Sequence, residues 1–192
     1  MPERNPAALE FLLNRRSRPA KTLTTPVPDR AELEPILTAA LRTPDHGKLE
    51  PWRLIVLERD ALARLGDVAG VQAAAANLGD AQIAKARNQF DIGNLAVVVV
   101  ESPVASDKVP AIEQTYSAGA VCLALLNAAL AAGWGANWLS GWATHDRGFV
   151  QEGLGLAAHE RVAGIIHIGT EKMAPPERPR PNPEDKITWQ SA

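Results

Sequence analysis

The chain has 192 residues, of which 46% are hydrophobic and 22% charged, so it is long enough for one domain with a core and is not a disordered polypeptide. Its net charge of −2, with acidic and basic residues interspersed, lacks the basic face of a nucleic-acid-binding protein. One cysteine, Cys122, excludes an internal disulfide framework, and four scattered histidines lack metal-ligand spacing. We therefore expect a cytoplasmic protein without a metal site.

The first predicted element is a helix over residues 5–16, and two charges mark its end. Leu9, Leu12 and Leu13 share one face, and continuing this spacing leads to Arg15 and Arg16. Burying an unpaired charge is costly, so these guanidinium groups need a partner, and a phosphate fits their geometry well. The alternative is that both arginines stay in solvent and favour the negative end of the helix dipole.

A capping box predicts the second helix, with Asp29 as the N-cap and Glu32 three residues later. Residues 52–57 and 95–100 are predicted strands, the second one covered on both faces. The alanine-rich residues 60–87 between them are interpreted as a peripheral pair of helices.

The longest apolar stretch, residues 118–139, is interpreted as a buried central helix followed by a short strand. It is rich in alanine and glycine, so we do not expect it to span a membrane. Thr144 is the predicted N-cap of the next helix, and His167 is interpreted as a hydrogen-bonded structural residue of a strand over residues 162–168.

The proline-rich residues 170–192 are predicted to be an extended C-terminal arm of a single domain that spans residues 1–192. Their tip, residues 187–189, is apolar and β-prone. We expect this tip to dock on a partner subunit.

Three segments carry a resemblance to a known family. The first is Arg15-Arg16-Ser17, the second is residues 42–52 with the sequence RTPDHGKLEPW, and the third is residues 138–141 with the sequence WLSG. Their order and spacing resemble the nitroreductase family, in its small single-domain NAD(P)H nitroreductase branch, over nearly the whole chain. The combination of the three segments is fairly specific, although the Arg-Arg-Ser segment alone is a weak signal.

The resemblance implies an α+β fold with a central mixed or antiparallel sheet flanked by helices, in an intertwined homodimer with FMN at the subunit interface. It also implies eight FMN-contacting residues. The first three match contacts to the phosphate and ribityl chain, the next two match contacts from the following loop, and the last three match a segment of the other subunit near the flavin ring. They are Arg15, Arg16, Ser17, Arg42, His46, Trp138, Leu139 and Ser140.

The implied activity is that of an FMN-dependent oxidoreductase that takes hydride from NAD(P)H and reduces a small acceptor such as a nitroaromatic or a quinone. FMN carries the chemistry, so no dedicated catalytic residue is expected. Two departures leave alternatives open. An arginine commonly stands where this chain has Leu139, and Glu50 replaces an uncharged polar residue. The alternatives are a flavin-binding or storage protein with little turnover, or another flavin reaction such as dehalogenation or dehydrogenation.

Several of these residues also have a purely structural interpretation. Arg42 suits the solvated last turn of a helix, and His46 suits a turn cap beside Asp45. Trp138 is compatible with a simple interface anchor, and Ser140 with a turn beside a glycine. The functional hypothesis therefore depends on the co-occurrence of the three segments.

Overall fold

The computed structural model describes Met1 and residues 3–191, and a single antiparallel sheet lies at its centre. The strand order is β1–β5–β3–β2, and β4 also pairs with β5. The strands are β1 (Leu23–Thr24), β2 (Trp52–Glu58), β3 (Leu95–Glu101), β4 (Gly135–Leu139) and β5 (Arg161–Glu171). The predicted α+β class is confirmed, and all described strand pairs are antiparallel.

Helices cover both faces of this sheet. They are α1 (Pro6–Asn14), α2 (Arg30–Ala40), α3 (Arg59–Ala75), α4 (Asp80–Asp91), α5 (Ala111–Ala131), α6 (Trp142–His145) and α7 (Arg147–Leu154). One hydrophobic core lies between the sheet and α3, α4, α6 and α7, and a second lies between the sheet and α2 and α5. Strand β3 alternates its side chains between the two cores, so it is buried on both faces as predicted.

The two predicted N-caps have different outcomes. The capping box of α2 is confirmed, with the Glu32 N–H donating to Asp29 Oδ1 at 2.9 Å. The prediction that Thr144 is an N-cap is wrong, because the helix is divided into α6 and α7. Asp146 caps α7, and its side chain accepts a hydrogen bond from the Phe149 N–H at 2.7 Å. Thr144 lies inside the short α6 and donates to the Gly141 carbonyl instead.

The interpretation of residues 60–87 as a peripheral helix pair is wrong for α3. This helix packs six buried residues against the core and against α4. Several of them are small, which lets α4 approach closely but gives a weak hydrophobic pattern in the sequence. They are Leu62, Leu65, Gly66, Ala69, Gly70 and Ala73.

Helix α5 is central, as predicted, and within the described residues it is the one helix long and apolar enough to cross a membrane. Eight of its residues are buried against α2, β3, β4 and β5, among them Cys122, whose burial raises the thiol pKa to about 12. A row on its opposite side is exposed and includes Ile112, Tyr116 and Leu123.

Helix α1 has no buried residue, and its three leucines at positions 9, 12 and 13 are more than half exposed. We call these leucines, together with the exposed α5 row, the apolar surface.

His167 lies in β5 and is 1% exposed, but it is not hydrogen-bonded as predicted. Neither ring nitrogen has a partner within the described residues, and the ring packs against Gly93, which has no side chain to offer one. Burial lowers its pKa to about 4, which keeps the imidazole neutral near pH 7.

The residues that follow β5 are largely exposed. Thr170 and Glu171 still pair with β1, and beyond them only a 3-10 turn at Pro183–Asp185 is regular among the described residues. Trp189 near the tip is 90% exposed. We call residues 172–191 the C-terminal arm.

Candidate functional site

The arginine pair lies just outside α1, because the helix ends at Asn14, two residues earlier than predicted. The Arg15 N–H closes the last turn by donating to the Phe11 carbonyl at 2.7 Å. The Arg15 guanidinium donates to Ser17 Oγ at 3.1 Å, and the Arg16 guanidinium donates to the Ser17 carbonyl at 3.3 Å. The structure therefore brings Arg15, Arg16 and Ser17 together in one half-buried cluster.

This cluster is positively charged and incompletely paired. The Nε atoms of Arg15 and Arg16 are both buried and have no hydrogen-bond partner within the described residues. Burial lowers the pKa of Arg15, and the neighbouring charges of Arg180 and Arg16 lower it further. Buried donors of like charge are satisfied best by an anion with several oxygens, so the donor set fits a phosphate.

A backbone hydrogen bond joins the arginine cluster to strand β4. The Arg18 N–H donates to the Ala136 carbonyl at 2.8 Å, and the Arg18 guanidinium forms an ion pair with Glu171 at 2.9 Å. Trp138 follows two residues later on β4. Two of the three predicted segments therefore lie side by side in the same chain.

Trp138, Leu139 and Ser140 present different surfaces. The Trp138 indole lies directly over Gly164 of β5, where any Cβ would overlap the ring, and remains 38% exposed. Leu139 is half-buried and pairs with Ile165, whereas Ser140 is exposed just beyond the strand. The glycine at 164 is thus required by the position of the indole.

The loop that carries Arg42 and His46 is fastened to the start of α5. His46 Nδ1 lies 2.5 Å from Glu113 Oε2. Ser117 Oγ donates to the Pro44 carbonyl at 3.0 Å and accepts from Trp52 Nε1 at 3.0 Å. The Arg42 side chain is exposed and makes no hydrogen bond within the part of the chain that the structure describes.

The same loop has an unusual backbone. Lys48 and Glu50 adopt φ values of 53° and 49°, in the left-handed region that side chains other than glycine seldom occupy. The Glu50 N–H donates to the Asp45 carboxylate at 2.9 Å, so Asp45 rather than His46 stabilises the turn. A hollow of about 340 Å³ opens beside it, lined by Pro44, Asp45, His46, Glu113, Tyr116, Ser117 and Ala120.

The two halves of the predicted site are anchored at opposite ends of α5. His46 is fastened to Glu113 in the first turn, and Ala136, to which the arginine segment is bonded, follows the last turn. A helix of 21 residues is about 30 Å long at 1.5 Å per residue. Within one chain, the structure therefore does not bring His46 to the arginine cluster.

A larger cavity, of about 730 Å³, lies elsewhere and contains none of the eight predicted residues. It lies between α2 and the edge strand β2, with Leu33, Leu37 and Val56 among its apolar lining. The arginine cluster is the stronger candidate for a ligand site, because two buried guanidinium Nε atoms without a partner among the described residues indicate a specific ligand and an apolar groove does not.

Comparison with known proteins identifies the family of this chain. The model of the Nitroreductase family matches residues 12–170. The chain belongs to the nitroreductase family. It is similar to "Putative NAD(P)H nitroreductase YdjA" of Escherichia coli (strain K12), with 37% identity over 166 residues that cover 86% of this chain and 89% of the relative. A protein of Haemophilus influenzae named "Putative NAD(P)H nitroreductase" is 36% identical over 85% of this chain and 88% of its own length.

Solved structures of nitroreductases share the fold. A nitroreductase-like family protein from Bacillus cereus has a TM-score of 0.79 at 23% identity and covers all of both chains. A nitroreductase from Desulfovibrio desulfuricans, solved in complex with FMN, has a TM-score of 0.73 at 18% identity and covers 99% of this chain and 100% of its own.

Three residues that contact the predicted site residues or their loop are not predicted from the sequence as site residues. Glu113 and Ser117 belong to the stretch that holds the loop, but nothing in the sequence predicts that residue 46 meets residue 113. Arg180 lies in the arm, 165 positions beyond Arg15, whose carbonyl its guanidinium approaches to 3.5 Å. Long-range contacts of this kind leave no local sequence signal.

Proposed function

We propose that this protein is an FMN-dependent oxidoreductase that takes hydride from NAD(P)H and reduces a small acceptor such as a nitroaromatic or a quinone. The observation that carries the proposal is the pair of buried Nε atoms of Arg15 and Arg16 beside Ser17, which have no hydrogen-bond partner in the described part of the chain. FMN, when bound, supplies the redox chemistry, and the protein binds and orients it.

In this proposal the arginine cluster holds the phosphate. Arg15 and Arg16 donate parallel charge-assisted hydrogen bonds to its oxygens, and the Ser17 hydroxyl donates to the phosphate or the ribityl chain. Residues 138–140 follow Ala136, whose carbonyl accepts the Arg18 N–H, so we assign them to the same subunit as the arginines and not to the other subunit, as the resemblance implied.

We further propose a homodimer in which Arg42 and His46 serve the FMN of the partner. The separation of the two anchor points along α5 supports this division of the site. The apolar surface on α1 and α5 supplies hydrophobic area for such an interface.

The relatives support the choice of hydride donor, and the cysteine content supports the choice of compartment. Proteins 36% and 37% identical carry the name NAD(P)H nitroreductase, and a neighbour with the same fold binds FMN. A single buried cysteine is consistent with the reducing cytoplasm, where we place the protein.

The deciding experiment is flavin analysis of the purified protein. We expect a yellow protein that releases FMN on denaturation and oxidises NADH or NADPH in the presence of a quinone. A colourless protein that does not bind added FMN would refute the proposal. A flavin-loaded protein inert to both donors would instead favour the flavin-binding or storage alternative.

A further inference from the structure

The C-terminal arm brings two opposite charges to the arginine cluster. The Arg180 guanidinium lies 3.5 Å from the Arg15 carbonyl, and its Nε and terminal nitrogen lie 3.0 Å and 2.9 Å from one carboxylate oxygen of Glu177. Arg180 is therefore a third guanidinium beside Arg15 and Arg16, and it arrives together with its own carboxylate.

Charges of the arm affect the arginine cluster, and charges of the cluster affect the arm. The charge of Arg180 lowers the pKa of Arg15. The pKa of Glu177 is also lowered, first because the Arg178 N–H donates to its carboxylate and further because Arg180 and Arg16 are positive neighbours. Glu177 thus lies within the field of the cluster as well as beside its own partner.

Three neighbouring guanidinium groups repel one another unless an anion lies among them. Glu177 supplies one negative charge and already bonds Arg180. A phosphate monoester carries nearly two negative charges and three acceptor oxygens, so it would displace a carboxylate from such donors.

We propose that the arm tunes the affinity of the FMN phosphate site through two opposing residues: Arg180 adds a third guanidinium, and Glu177 is an internal anion that competes with the phosphate. This inference rests on the proposed function. When phosphate binds, Arg180 would exchange its hydrogen bonds to Glu177 for hydrogen bonds to the ligand. The contacts within the arm would therefore depend on whether the site is occupied.

The test compares FMN with riboflavin, which has the same ring and ribityl chain but lacks the phosphate. The variants are Arg180→Gln and Glu177→Gln, and the matched control is Arg178→Gln. Arg178 lies on the same arm, and its substitution removes the same charge as Arg180→Gln. Its guanidinium makes no hydrogen bond or ion pair within the described residues. Deflavinated full-length protein is titrated with each flavin, and the quenching of flavin fluorescence gives the Kd.

We expect Arg180→Gln to weaken FMN binding about tenfold and Glu177→Gln to tighten it about threefold, with riboflavin binding unchanged in both. Arg178→Gln should change neither Kd by more than about twofold. The inhibition constant of inorganic phosphate, measured in competition with FMN, should be lower in Glu177→Gln than in the wild type.

Two results would overturn the inference while leaving the proposed function intact. One is wild-type FMN binding with no difference among the three variants. The other is an equal loss of FMN and riboflavin affinity in Arg180→Gln, which would mean that the residue acts through the fold. If the wild type binds neither flavin, the proposed function itself fails.

Discussion

The Arg18 backbone N–H donates to the Ala136 carbonyl at 2.8 Å, so the segment after α1 is fixed by the central sheet. The ion pair between Arg18 and Glu171 at the end of β5 reinforces this attachment. Helix α1 contributes little, because none of its residues is buried. The arginine cluster therefore keeps its position relative to β4 even though the helix before it is exposed.

Replacing Arg15 with alanine should weaken FMN binding more than it slows chemistry. Loss of a hydrogen bond to a charged group costs about 1.5–3 kcal/mol, which corresponds to a Kd about ten to one hundred times higher. The rate of flavin reduction by NAD(P)H at saturating FMN should change by less than about threefold, because the phosphate is remote from the reacting ring. Fluorescence titration and stopped-flow absorbance measure the two quantities. Arg4→Ala, at an exposed position before α1, is the control, and equal FMN affinity in both variants would exclude Arg15 from the site.

A charge placed on the apolar surface should dissociate the proposed dimer. Leu123→Asp puts a carboxylate in the exposed row of α5 and should raise the dimer dissociation constant at least about a hundredfold, because a charge buried at an interface is left unpaired. Light scattering coupled to size exclusion reads the mass directly. Val71→Asp changes an exposed apolar residue of α3, outside the apolar surface, and should leave the mass unchanged. A wild-type monomer, or a dimeric Leu123→Asp protein, would contradict this interface.

Shortening the arm should weaken the dimer without removing Arg180. Deletion of residues 183–192 removes Ile187 and Trp189, which are exposed in the single chain and which we expect to dock on the partner. Sedimentation equilibrium should show weaker association, and the double variant Ile187→Ser with Trp189→Ser should reproduce it. Unchanged association in both would mean that the tip has no place on the partner.

His167 should make the protein less stable in acid. Its pKa is about 4 in the folded state against an ordinary value of 6.5, so the unfolded chain binds the proton more readily. The free energy of unfolding should be undiminished above pH 6.5 and should fall by about 3 kcal/mol as the pH drops towards 4. Urea denaturation across this range measures the slope. It should flatten in His167→Leu but not in His159→Leu, whose imidazole is exposed.

The ion pair between Arg53 and Glu160 should stabilise the folded protein at pH values above the ordinary carboxyl pKa of 4.5. Arg53 donates to both carboxylate oxygens, at 2.7 Å and 2.8 Å, and this contact chiefly holds the pKa of Glu160 at about 2. Arg53→Gln leaves a buried carboxylate with fewer donors and should cost about 2 kcal/mol at neutral pH, less than a fully buried pair because Arg53 is partly exposed.

The difference in the free energy of unfolding between the wild type and Arg53→Gln should shrink as the pH falls from 4.5 towards 2, because protonation of Glu160 removes the interaction in the wild type too. Urea denaturation at several pH values tests this. Arg30→Gln breaks an exposed pair with Glu34 and should cost less than about 0.5 kcal/mol. An equal loss in both variants would mean that the burial of Glu160 has no energetic effect.

Features set by neighbouring residues could be predicted from the sequence, and those set by distant contacts could not. The capping box at Asp29 and Glu32 spans four residues, and an unbroken apolar run predicts β3. Thr144 is a residue type equally suited to an N-cap, but Asp146 lies two residues later and accepts the hydrogen bond from the helix. Local signals therefore locate an element better than they choose between adjacent candidates.

The site shows the same limit. The resemblance identified Arg15, Arg16 and Ser17, and the structure brings them together. It did not reveal that Glu113 meets His46 across 67 positions or that Arg180 approaches Arg15 across 165. His167 likewise packs against Gly93 from a distant part of the sequence, and the hydrogen bond expected from its residue type alone is not formed within the described residues.

The length of α5 has a genetic consequence. If Arg15 and His46 serve different flavins of one dimer, a subunit defective in one residue can be paired with a subunit defective in the other. Each mixed dimer then has one site that carries both defects and one site that carries neither. Two alleles that each lose FMN binding, one through the arginine cluster and one through the loop of His46, should therefore complement each other when expressed together, whereas either allele alone should not recover activity.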